Sequence, residues 1–139
     1  MTPKAVEKFL LSFAGATRSI QWGDDHVFKV GGKMFAVMGP PDNKLRGLSF
    51  KAGESSFAIL TKQKGIIPAP YLARAHWVAI RDWEVFRRSE LEGLLQHGRG
   101  LIYEKLPKRT KDALAMPAAA QRRLLKDRRR LLAARAAAR

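Results

Sequence analysis

The sequence predicts an α+β fold: an antiparallel sheet of about five strands with flanking helices, followed by a basic, helix-prone tail. Three observations predict it. The hydrophobic period is helical at the start, strand-like over residues 18–51, and helical again after Ser89. Glycine-bearing turns break the strand-like stretch at spacings short enough for hairpins. Composition then shifts abruptly after Pro107.

Residues 3–14 form the first predicted helix, with Thr2 as N-cap, Pro3 at the first helical position and Gly15 just beyond the end. Val6, Phe9, Leu10 and Phe13 line one face of it. Strand-like runs follow at 19–22, 26–30, 33–38 and 45–51. Between them, Gly23-Asp24-Asp25 makes a turn, Gly31-Gly32 supplies the two positive-φ positions of a tight hairpin, and residues 39–43 (Gly-Pro-Pro-Asp-Asn) make a longer loop. Such turns imply an antiparallel meander. The run 34–38, apolar on both faces, belongs at its centre, while Lys29 and Lys51 face outward.

Residues 53–63 read as a second helix with Phe57 and Leu60 inward, Ser55-Ser56 capping its start and Gly65 past its end. Pro68-Ala69-Pro70 then holds the chain extended, and 76–80 is a further apolar strand. Ser89 with Glu92 forms a capping-box signature for a third helix, whose apolar face holds Leu91, Leu94, Leu95, Ile102 and Leu106 until Pro107 stops it.

The chain has 139 residues, of which 27 are Lys or Arg and 12 are Asp or Glu, a net charge of +15. Charge of that size sets up a positive potential over much of the surface, which attracts polyanions. Residues 108–139 hold 11 basic and 2 acidic side chains, a net of +9, and leave +6 on the 107 residues before them. DNA is therefore the expected partner, although charge alone does not separate it from RNA or another nucleic acid. Absence of cysteine excludes disulfides, thiolate zinc sites and thiol nucleophiles, and fits the cytoplasm. The N-terminus lacks the pattern of a signal peptide, and no segment approaches the roughly 20 apolar residues that span a bilayer, so no membrane partner is expected.

Three stretches, in order and spacing, resemble the MmcQ/YjbR family of small bacterial proteins. They are Trp22-Gly23 followed by Val27-Phe28-Lys29-Val30-Gly31-Gly32-Lys33-Met34-Phe35-Ala36; Gly65-Ile66-Ile67-Pro68-Ala69-Pro70-Tyr71-Leu72 with Trp77-Val78 just after; and Lys105-Leu106-Pro107-Lys108. The resemblance covers about residues 3–110. It implies a compact frataxin-like α+β fold with helices packed on one face of an antiparallel sheet, and a DNA-binding role in which two loops act as wings. The expected organisation is an α+β domain over 1–110 with an Ala/Arg-rich basic extension over 111–139. One departure stands out: where family members often carry a Ser-Tyr pair in the last helix, this chain has Gly98-Arg99. An interior glycine there costs the helix roughly 1 kcal/mol relative to alanine.

No catalytic, cofactor or metal site is expected. The Gly-Gly-Lys at 31–33 lacks the spacing of a phosphate loop, His26, His76 and His97 are far apart, and no His-Glu-x-x-His occurs. The carboxylates of Asp24, Asp25, Glu90 and Glu92 are explained by turns and a helix start, and no small-molecule substrate is evident. Trp22 and Trp77 lie in strand-like apolar runs and are expected in the core, which leaves Trp83 as the exposed ring. The candidate nucleic-acid contacts on the domain are Lys33, Lys44, Arg46 and Arg74. In the tail they are Arg122, Arg123, Lys126, Arg128, Arg129 and Arg130, a run dense enough for counterion release to drive binding. The alternative is a protein-interaction or iron-handling domain. Iron handling would want clustered acidic side chains, whereas the 10 carboxylates of residues 1–107 are scattered. Oligomeric state is left open.

Overall fold

In the computed structural model, the described residues are 1–115 together with Arg130, Leu131, Ala133 and Ala134. The chain divides into two units, Met1–Lys105 and Leu106–Arg139. The first contains α1 (Pro3–Leu11), β1 (Ala16–Gln21), β2 (Asp25–Val30), β3 (Lys33–Met38), β4 (Leu48–Lys51), α2 (Glu54–Leu60), β5 (Ile66–Pro68), a 3-10 turn (Ala73–Ala75), β6 (Trp77–Ile80) and α3 (Arg88–Glu104). The second contains α4 (Lys108–Leu114), and Arg130 is helical and exposed.

The six strands form one antiparallel sheet in the order β1-β2-β3-β4-β6-β5, with helices packed on one face as expected. Both hairpin glycines, Gly31 and Gly32, adopt positive φ (58° and 79°), which suits a tight turn between twisted strands. The strand that sequence patterning misses is β5. Its Pro68 reads as a spacer, yet β5 lies at the sheet edge, where a proline removes no ladder donor from a neighbour.

Apolar residues from alternate strand positions build the core: Phe28, Ala36, Met38, Leu48, Phe50, Val78 and Ile80 are all buried. α3 lies against β2, β3 and β4, α1 against β1, and α2 against β5 and β6. The β2–β3 register slips between Phe28 and Lys29, leaving Phe35 as an extra residue whose ring packs 5.9 Å from that of Phe13 just after α1.

Thr2 caps α1 as expected, its hydroxyl accepting from the Ala5 N–H at 3.2 Å. The other two helix starts differ from expectation. Gly53, not a serine, precedes α2, and Ser55 and Ser56 lie inside the first turn. The N-cap of α3 is Arg87, two residues before Ser89: the Glu90 carboxylate accepts from the Arg87 N–H at 3.2 Å, while Glu92 pairs along the helix with Arg88 at 2.8 Å. Arg87 with Glu90 takes the place of the Ser-x-x-Glu signature because the N3 carboxylate can close the cap without a serine.

Candidate nucleic-acid interface

The antiparallel register divides the basic candidates between two ends of the sheet. β3 starts at Lys33, at the exposed tip of the β2–β3 hairpin, and Arg74 lies in the 3-10 turn just before β6. Since Lys51 pairs with Trp77 and Val30 with Lys33, both belong to the end where β2 and β4 finish and β3 and β6 begin. Lys44 and Arg46 are in the β3–β4 loop at the opposite end, a strand length of about 20 Å away. The structure therefore brings Lys33 to the end that carries Arg74, and Lys44 beside Arg46, but not all four together.

Arg46 is engaged within the protein. Its guanidinium donates to Asp24 at 3.0 Å and to Asp25 at 2.5 Å, tying the β3–β4 loop to the β1–β2 turn. The hydrogen bond and charge of Asp24, then the charge of Asp25, raise its already high pKa, so the cation is permanent and locally neutralised. Lys44 beside it is exposed. Two carboxylates that read locally as turn residues thus have a tertiary partner 21 and 22 residues on.

The aromatic expectations are reversed for two of the three tryptophans. Trp83 is buried, at 7% exposure, and its indole N–H donates to the carbonyls of Lys44 and Arg46 at 3.2 and 3.1 Å, which holds the β3–β4 loop. Trp22 is 64% exposed, because the β1–β2 turn places it in the left-handed region (φ 52°) and out of the strand. Only Trp77 is in the core as expected. Tyr71, also at positive φ (66°), is fully exposed. No local signal distinguishes these rings; loop conformation decides them.

Lys51, half-buried at the end of β4, is not among the sequence candidates. Its ammonium donates to the Ala75 carbonyl, in the same turn as Arg74. Burial first, and the nearby charge of Lys105 second, hold its pKa below the ordinary lysine range. Arg122, Arg123, Lys126, Arg128 and Arg129 lie outside the described residues.

The departure at Gly98-Arg99 has a packing reason. A Cβ on Gly98 would overlap the Lys51 carbonyl oxygen, so the glycine lets α3 approach β4. Arg99 turns back to donate to the Ala14 carbonyl at 2.8 Å and lies 4.7 Å over the Tyr103 ring.

Other titratable groups form a structural cluster. Glu7 of α1 accepts from Arg18 at 2.8 Å and meets His26 Nδ1 at 2.6 Å, joining α1 to β1 and β2. Among the described residues no group of three His, Asp or Glu side chains is placed to hold a metal. No helix of the described residues is long and apolar enough to cross a membrane.

A family model described as YjbR matches residues 11–100. Among solved structures, protein DR2400 of Deinococcus radiodurans, a DUF419-domain protein, aligns with a TM-score of 0.71 at 23% identity, covering 84% of this chain and 89% of that one. A protein from Pseudomonas syringae aligns with a TM-score of 0.61 at 18% identity, over 73% of this chain and 99% of its own. At those identities the likeness is one of fold. No functionally curated protein matches the chain. The family model spans α3's glycine-arginine step as well as the whole sheet, and on that match the chain belongs to the YjbR family.

Proposed function

We propose that this is a non-enzymatic, cytoplasmic DNA-binding protein that contacts phosphates through loops at the sheet ends and through its basic C-terminal extension. The observation that carries the reading is the net charge of +15, with +9 of it in residues 108–139. Counterion release from such a surface is enough to bind duplex DNA without base recognition. Phosphate contacts carry little sequence information, so specificity is weak. The resemblance that implies DNA binding points the same way.

A hollow of about 540 Å³ runs beside Arg88, Ser89, Glu92, Gly93 and Gln96 on α3, where Glu92 is already paired with Arg88. Among the described residues, no cluster of acidic or histidine side chains favours iron handling.

The test is equilibrium binding of a short mixed-sequence DNA duplex over a salt series, for the full chain and for a chain lacking residues 111–139. Affinity should fall steeply with salt, and the slope should flatten when the extension is removed. Absence of salt-dependent binding by the full chain at low ionic strength would refute the reading.

A further inference from the structure

The positive excess of the first unit is polarised between the two ends of its sheet. The end where β2, β4 and β5 finish and β1, β3 and β6 begin gathers six basic residues: Lys29, Lys33, Lys51, Arg74, Arg99 and Lys105. Among the described residues of that unit, only Glu54 and Glu104 bring carboxylates there. At the opposite end Asp24, Asp25, Asp42, Asp82 and Glu84 interleave with the cations, and two of them neutralise Arg46.

We propose that the cationic end is the folded unit's own phosphate-binding surface, taking the backbone of duplex DNA across Lys33, Lys51, Arg74 and Lys105. The proposal rests on the DNA-binding reading above and locates it. Three observations support the placement. None of these four side chains forms an ion pair among the described residues, so no carboxylate already neutralises them. The Lys51 ammonium is anchored on the Ala75 carbonyl, which fixes it beside Arg74's turn. Lys105 follows the last turn of α3 and brings its charge to bear on Lys51, so the two cations present like charge to one anion.

The dimensions also suit a nucleic-acid strand. From β3, which starts at Lys33, to β6, which Arg74 precedes, is two strand spacings, about 10 Å. Consecutive phosphates of one DNA strand advance about 3.4 Å each along the axis, so a few of them cover this span. Pairing at this surface is electrostatic and needs no base contact.

The experiment uses the full chain. Lys33→Gln, Arg74→Gln and Lys105→Gln are combined in one variant, leaving half-buried Lys51 in place. The control variant removes the same charge from the other end through Lys62→Gln, Lys64→Gln and Arg81→Gln. Both are titrated with the same mixed-sequence duplex over a salt series, with thermal melting to check folding. The first variant should lose about ten-fold or more in affinity at moderate salt, and its slope of log Kobs against log salt should flatten by roughly 0.9 for each phosphate no longer neutralised. The control should change much less. Lys33→Glu alone, at an exposed hairpin tip, should weaken binding in the same direction without disturbing packing.

Equal losses in both variants would overturn the proposal in favour of a diffuse field. No loss in the first variant, with wild-type binding intact, would overturn it in favour of the extension acting alone. Failure of the wild-type chain to bind at all would instead remove the DNA-binding reading, and the proposal with it.

Discussion

Gly98 shows how one residue carries two opposed costs. In a helix it loses roughly 1 kcal/mol against alanine, yet a Cβ there would overlap the Lys51 carbonyl and push α3 off β4. Steric overlap with backbone outweighs propensity, so Gly98→Ala should destabilise the fold by about 1–3 kcal/mol. Gly93, in the same helix with open space around its Cα, isolates the propensity effect: Gly93→Ala should stabilise by up to about 1 kcal/mol. Urea unfolding of the two variants measures both, and a gain in stability for Gly98→Ala would contradict the packing argument. The neighbouring Lys51 gives a pH signature. Its folded pKa is lowered, so between that value and the ordinary lysine range the unfolded chain binds more protons than the folded one. Stability therefore gains from Lys51 as pH rises through that window. Comparing urea midpoints of wild type and Lys51→Gln from neutral to alkaline pH should show this contribution in the wild type and not in the variant.

At the scale of elements, the β3–β4 loop is held from two sides, and the two ties differ in strength. Trp83 fills a buried position and caps two loop carbonyls, whereas Arg46 reaches Asp24 and Asp25 at the solvent edge. Trp83→Phe keeps most of the apolar area but loses the N–H, and should cost about 1–2 kcal/mol. Arg46→Ala should shift the melting temperature far less, because exposed ion pairs are screened and entropically costly. Thermal melts of the two variants rank them, and a larger shift for Arg46→Ala would reverse the assignment. The same loop explains why the sequence-predicted strand at 45–51 begins only at Leu48. Leu45 is apolar and strand-like by type but 89% exposed, and its N–H is taken by the Asn43 side chain at 3.0 Å.

For the whole molecule, the net charge divides between a folded unit that is polarised and an extension that is densely basic. Residues 111–139 carry most of the +9, so replacing Arg122, Arg123, Lys126, Arg128, Arg129 and Arg130 by glutamine should flatten the salt slope of DNA binding more than any loop variant. Fluorescence anisotropy of a labelled duplex over a salt series checks this, and an unchanged slope would place the ligand wholly on the folded unit. The charge of the extension is plain in the sequence, because a run of like residues needs no fold to be recognised. The polarity of the folded unit is not. The chain neighbours of Lys33 and Arg46 say nothing about which strand end each occupies, and the charge of Lys105 bears on Lys51 from 54 positions away.

Local chemistry by itself determined the helix opened by Thr2-Pro3, the Gly31-Gly32 hairpin, the central strand at 33–38 and the stop before Pro107, since each depends on residues within a turn or two of one another. Only the tertiary structure decided that Trp83 is buried and Trp22 exposed, that Gly98 is a close approach rather than a defect, and that the sheet has one cationic end. Those outcomes follow from sheet register and helix approach, which join residues tens of positions apart through packing and long-range charge, and no periodicity or spacing in the chain encodes such distances directly.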